Sequence, residues 1–250
     1  MSVLTDPDLD LAGLDPDVAY PANPSVPDSD LHAVVRFLSY GSLRGHFDGR
    51  PDCFVGQDLS VYYRRGERTF VGPDVLVSFG VDPAQIRKAA SYRPWDAGGP
   101  PAFVLEIASE RTYEKDLHVK PAVYLEVGVE EYWRFDPTGG EFFAFSPFLQ
   151  GDRREGDALV PIEVGADGDG RLRGHSRVLG LDLHAEPSRL RFRDPLSGLW
   201  LPDPDEALRQ RDAAEVRATA AEVRATAAEA RAAAAEAELV ALRARRDAQP

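Results

Sequence analysis

The five residues Phe103-Val104-Leu105-Glu106-Ile107 form the most apolar stretch of the chain, with a single acid inside it, and read as a buried central strand. Short β-rich runs between Gly, Pro and Asp punctuation surround it: 54–55, 59–63, 69–71 and 75–79 before it, and 131–135 after it. Residues 141–145 have the same character, and Asp136-Pro137-Thr138-Gly139-Gly140 reads as a turn pairing them with 131–135. More short strands follow to about Trp200. Helical character appears in 113–127, ended by Gly128, and a short helix is expected over 31–38. A mixed sheet flanked by helices is the α/β or α+β outcome.

Both ends of the chain differ from this middle. Residues 1–30 are rich in Asp and Pro without apolar periodicity and read as an acidic, Pro-rich arm. From Glu206 to Arg246, Ala, Glu and Arg dominate, and the heptad Ala-Glu-Val-Arg-Ala-Thr-Ala occurs in tandem at 214–220 and 221–227. This predicts a helix of roughly 60 Å. Setting Val216, Val223, Ala230 and Ala237 at one core position places Thr219, Thr226, Ala233 and Val240 at the other, a narrow seam poor in Leu. Two readings of the tail stay open, a solvated spacer and a dimerising coiled coil. The expected organisation is an arm (1–30), a catalytic-type domain (31–205) and a helical tail (206–250).

Charge changes this picture only in part. A net charge of −13 opposes phosphate binding, but the arm holds seven Asp with no Lys or Arg, and the tail's eight Arg balance six Glu and two Asp. The middle is left mildly acidic, which disfavours tight non-specific DNA binding without forbidding a local basic groove. No apolar run is long enough to span a membrane, no secretory signal is evident, and Cys53 is the only cysteine. A cytoplasmic setting fits these features. The five His have no zinc-ligand spacing, no phosphate loop precedes a Lys-Ser/Thr pair, and Ser109 has no nucleophile elbow.

Two acids carry the candidate chemistry. Asp74 follows Pro73 at the start of the strand 75–79, and Glu106 lies inside the apolar run. A carboxylate there costs several kcal/mol unless it is paired or bound to a metal. Mg²⁺, or Mn²⁺, takes oxygen ligands and keeps several waters, so Asp74, Glu106 and the carbonyl of Ile107 suffice as a metal site. Lys120 is the third candidate: it could orient a water, stabilise charge on a phosphate, or act as a base if its pKa is lowered. Asp116, Lys120 and Tyr124 are spaced four apart and share a helical face. Asp116 is expected to pair with Lys120, and Asp58 to start a strand. Pro121 fits a helix only in its first turn, so the helix carrying Lys120 should begin there.

These residues resemble a family. The stretch 106–112, then Asp116, Lys120, Tyr124, the run Gly128-Val129-Glu130-Glu131-Tyr132-Trp133 and Asp136-Pro137 are similar to the signature of the Uma2 family. Those are restriction-endonuclease-like proteins of the PD-(D/E)xK nuclease superfamily. Pro73-Asp74 looks like the "PD", and 55–63, Ser91-Tyr92 with Trp95, 149–151, 178–181 and 190–195 continue the likeness over roughly 52–206. The resemblance implies a restriction endonuclease-like αβββαβ core, a mixed sheet flanked by helices. It also implies Mg²⁺ held by Asp74 and Glu106, and water attacking a DNA phosphodiester. The superfamily's lysine lies two residues after the second acid, where this chain has Ala108, which makes Lys120 its replacement. The expected protein is a metal-dependent endodeoxyribonuclease, a homodimer aided by its tail. The alternative is a catalytically silent nuclease-fold module for binding or assembly.

Overall fold

A computed structural model describes residues 30–144 and 146–247, so the expected acidic arm (1–30), apart from Asp30, lies outside the described residues. In chain order the elements are α1 (Asp30–His46), β1 (Cys53–Gln57), β2 (Val61–Tyr62), β3 (Phe70–Val71), β4 (Val75–Phe79), α2 (Pro83–Ala89), α3 (Pro94–Ala97) and β5 (Phe103–Ile107). They continue with α4 (Tyr113–His118), α5 (Lys120–Val127), β6 (Glu131–Phe135), β7 (Leu149–Glu155) and β8 (Ala158–Pro161). The chain closes with β9 (Val164–Ala166), β10 (Leu172–Ser176), β11 (Leu181–Glu186), β12 (Arg189–Arg193) and α6 (Pro204–Asp247). It divides into two compact units between Asp203 and Pro204.

In the first unit a six-stranded sheet runs in the order β1-β4-β5-β6-β7-β8. Only β5 and β6 pair in parallel, and the chain passes between them through α4 and α5 as a parallel crossover requires. All five residues of β5 are buried, as expected of a strand covered on both faces. Alternation splits the core accordingly. Phe103, Leu105 and Ile107 face one cluster with α1 (Val35, Leu43) and a second sheet, β12-β11-β10-β9. Val104 faces another cluster with the β2–β3 ribbon, Ile86 of α2, Ala97 of α3 and Tyr124 of α5. Leaving aside the β2–β3 ribbon and the short α2 and α3, the order is α1-β1-β4-β5-α4/α5-β6, the αβββαβ arrangement implied by the resemblance.

Two predicted elements differ. α1 runs well past residue 38 because Ser39, Ser42 and Leu43 are buried on its inner face despite Gly41 and Gly45. Residues 141–144 form no strand, and β6 pairs instead with β7. The cause is Asp136, fully buried, whose carboxylate accepts from Thr138 N and Oγ1 (2.9 and 2.6 Å) and from Phe142 N and Phe143 N (2.9 and 3.0 Å). Backbone donors that a hairpin would use are drawn into a loop around one acid. The last residue of that expected strand, Phe145, lies outside the described residues.

The second unit is the 44-residue helix α6, about 66 Å long. From Ala207 onward every residue whose side chain is described is exposed, including Val216, Val223 and Val240. No helix among the described residues is long and apolar enough to cross a membrane.

Candidate active site

Register brings the two acids together. β4 and β5 pair Val75 with Leu105, and one further step sets Asp74 across from Glu106. Opposed residues of an antiparallel pair share a face, here the one that also carries Leu76 and Val104. On the other side of Asp74, the Asp58 N–H donates to the Asp74 carbonyl (3.2 Å) as β1 ends. On the far side of Glu106, Arg134 is its parallel partner on β6 and is ion-paired with Asp152. A row of charged side chains thus crosses one end of the sheet.

Asp74 is tied from two directions. Its Oδ2 accepts from the Ile107 N–H at 2.7 Å, and His32 Nε2 of α1 lies 3.2 Å from both carboxylate oxygens. One helical turn on, Arg36 Nη1 sits 3.8 Å from Asp74 and 3.9 Å from Asp58. Burial pushes the Asp74 carboxyl up, but the His32 contact, the Lys120 charge and the Ile107 N–H together hold it down at about 2.

Glu106 sits in a different environment. Its Oε1 accepts from the Tyr124 hydroxyl (2.5 Å) and lies 2.7 Å from Lys120 Nζ. Lys120 Nζ is also 2.7 Å from Asp116 Oδ1, and all three groups are buried. Burial, with help from Asp116 and Asp74, raises the Glu106 carboxyl to about 8 against the opposing pull of Lys120. Burial would lower the Lys120 ammonium, but Glu106, Asp116 and Asp74 override it and raise its pKa. Lys120 therefore stays charged, which removes the option of a lysine base.

Lys120 reaches the acids for a local reason. α4 stops at His118, Val119 lies between the helices, and α5 restarts at Lys120 with Pro121 in its first turn, where a missing N–H costs nothing. Despite this break, Asp116, Lys120 and Tyr124 face the sheet together, all buried. Gly128 ends α5 in the left-handed region (φ 92°), and its N–H bonds the Tyr124 and Leu125 carbonyls. The Tyr132 hydroxyl donates to the Asp116 carbonyl (2.8 Å), fixing α4 against β6.

The structure thus brings Asp74, Glu106 and Lys120 to one place, with Asp116 paired to Lys120. Ile107 contributes its N–H to Asp74, and its side chain lies in the core on the other face. His32 and Arg36 were missed. Their only signal is an i, i+4 pair at the start of α1, which points at nothing until the fold sets it beside Asp74. Tyr124, placed by its spacing on the helical face of Asp116 and Lys120, is both core and a donor to Glu106.

Among the described residues, no three His, Cys, Asp or Glu side chains are placed to surround one metal ion. The donor set still suits a hard cation. Glu106 and Asp116 share one buried lysine whose charge also acts on Asp74, and Asp116 Oδ2 has no hydrogen-bond partner among the described residues. Burial holds the Glu106 carboxyl up at about 8, and a bound cation would lower it. Two carboxylates and a main-chain carbonyl, completed by water, match what Mg²⁺ takes from proteins.

An αβββαβ core with paired acids and a lysine at one sheet end defines an α/β domain of the restriction endonuclease-like type. The Uma2 family, described as "Putative restriction endonuclease", matches residues 23–164, more than half of the chain, and the chain belongs to that family. A solved structure from Anabaena variabilis ATCC 29413, titled a "putative nuclease belonging to DUF820", is 16% identical, with a TM-score of 0.37 over 56% of this chain and 75% of that one. A search of curated proteins gave no match.

Proposed function

We propose that this protein is a metal-dependent endonuclease that hydrolyses DNA phosphodiester bonds. The observation that carries the reading is the meeting of Asp74, Glu106 and charged Lys120 at one sheet end, in a chain of a nuclease family. Asp74, Glu106 and the Ile107 carbonyl would hold Mg²⁺ or Mn²⁺, which when bound supplies Lewis acidity toward the phosphate and an acidified water. Asp74 is ionised across the physiological range and needs no proton loss to bind a cation. Glu106 must give up its proton, so its binding competence grows toward a pH of about 8. Lys120 supplies a fixed positive charge toward the non-bridging oxygens of the substrate and takes no proton from water. Asp116 and Tyr124 hold Lys120 and Glu106 in place.

One observation favours the alternative, a silent nuclease-fold module for binding or assembly. Lys120 and Tyr124 both occupy Glu106 Oε1, and the Lys120 and Glu106 side chains are only 1% and 2% exposed, so cleavage requires this cluster to open. Plasmid nicking with Mg²⁺ or Mn²⁺ separates the two. The nuclease reading expects cleavage by wild type and a loss of at least about a hundredfold in Asp74→Ala and Glu106→Ala. Cleavage unchanged by both substitutions overturns the site. Absence of cleavage, with no metal heat in titration calorimetry, leaves the silent module. Two copies acting together is part of the proposal, since cutting both strands takes two such centres.

A further inference from the structure

The charges of α6 are spaced for something other than a lone helix. An isolated exposed helix is supported by opposite charges three or four residues apart. Between Glu215 and Arg243, no Glu lies three or four residues from an Arg. The separations are two, five and larger. Arg217, Arg224 and Arg231 instead donate Nε to the carbonyls of Ala213, Ala220 and Ala227 in their own helix. All are exposed.

Five residues is the spacing that joins facing helices in a parallel two-stranded coiled coil, from position g of one heptad to position e of the next on the partner. One phase of the heptad puts every charge there. With Ala214, Ala221 and Ala228 at d and Ala218, Ala225 and Ala232 at a, the g positions are Arg217, Arg224, Arg231 and Glu238. The e positions that follow them are Glu222, Glu229, Glu236 and Arg243, so each of the four g–e′ pairs is of opposite sign. In this phase Val216 and Val223 fall at f, the outermost position.

From this charge pattern we infer that α6 pairs in parallel and in register with α6 of a second copy, along the face from Ala214 to Ala235. Antiparallel pairing would set g against g′ and e against e′, which puts Arg against Arg or Glu against Glu at most positions. A slip of one heptad would set Arg231 against Arg243 and Glu238 against Glu236, because the last pair is reversed in sign. That reversal fixes register. The phase that places Val216 and Val223 in the core sets Glu against Ala at every g–e′ position and selects no partner. Small Ala side chains let the two helices approach closely, and the flanking charges choose orientation and alignment. In a parallel pair both chains enter from the same end. The inference stands whether or not the preceding domain cleaves DNA.

Sedimentation equilibrium on the full chain tests it, with circular dichroism to verify that each variant keeps its helix. Wild type is expected at twice 27.4 kDa. Arg217→Glu/Arg224→Glu/Arg231→Glu should weaken association about a hundredfold or more. Glu222→Arg/Glu229→Arg/Glu236→Arg should do the same, and mixing the two variants should restore a dimer. Val216→Lys/Val223→Lys should leave association unchanged. Ala221→Cys should cross-link to itself under oxidation much faster than Val223→Cys, because parallel, in-register pairing sets the two thiols at 221 opposite each other. A monomeric wild type, a dimer indifferent to the charge reversals, a dimer lost in the Val variant, or an Ala221→Cys dimer that does not cross-link would each overturn the inference.

Discussion

Asp74 and Glu106 are opposed carboxylates whose environments push them apart. Asp74 is held down at about 2 against an ordinary 3.8, so its ionised form favours the folded state. That contribution, about 2 kcal/mol, is fully present above pH 3.8 and is lost as pH falls through 2. Asp74→Asn should therefore cost about this much at neutral pH, and the gap to wild type in urea melts should close as pH drops toward 2. A gap independent of pH would show that the His32 and Ile107 contacts do not act on the charge. Lys120→Met should cost about 3–5 kcal/mol, because Glu106 and Asp116 lose their shared buried cation. Adding Glu106→Gln and Asp116→Asn to Lys120→Met should recover part of that loss, since an all-neutral cluster carries no unpaired charge. No recovery would mean the cost is one of packing. Glu106 was legible because an acid inside an apolar run must be explained. Lys120 was legible through the four-residue spacing to Asp116 and the position of Pro121. His32 and Arg36 were not, because their contacts with Asp74 span 42 and 38 positions and leave no local pattern.

Elements are held by contacts that local sequence describes unevenly. Phe103–Ile107 and Val75–Phe79 were readable as strands because burial on both faces leaves an apolar run. The pairing of β6 was not, since Asp136 gathers four nearby donors into a loop and hands the sheet edge to β7. β6 also carries the joint between the two sheets. Trp133 lies against Gly151 on β7 and Gly174 on β10, where an added Cβ would come within 2.8 and 2.6 Å of the indole. Its Nε1 donates to Glu131, which also accepts from Ser176 Oγ (2.6 Å) and Arg177 N (2.9 Å) at the end of β10. Gly174→Ala should thus destabilise by about 1–3 kcal/mol through overpacking. In a Trp133→Leu background the same change should cost much less. Equal costs in both backgrounds, measured by chemical denaturation, would place the glycine's role in its backbone.

The two units differ in what holds each together, and the hydrophobic clusters locate the boundary. No member of either cluster lies beyond Leu201, whereas from Ala207 every residue of α6 whose side chain is described is exposed. Helix propensity in an Ala-rich 44-residue segment is sufficient for α6 to form without borrowing from the domain's core. A chain ending at Asp203 should therefore melt within about 2 °C of the full chain, because no member of either hydrophobic cluster lies in α6. The same truncation should separate stability from DNA binding. The domain is mildly acidic and offers no excess of positive charge to phosphates, so a single copy should bind DNA weakly and with a shallow salt dependence. Two copies joined at α6 hold two such surfaces at a high effective concentration and gain affinity without a new contact. Calorimetry and DNA binding on full and truncated chains decide this together. The expected result is an unchanged melting temperature with DNA affinity reduced about tenfold or more. A melting temperature that falls sharply would make α6 part of the fold, and unchanged affinity would remove joint action of two copies from the proposed function.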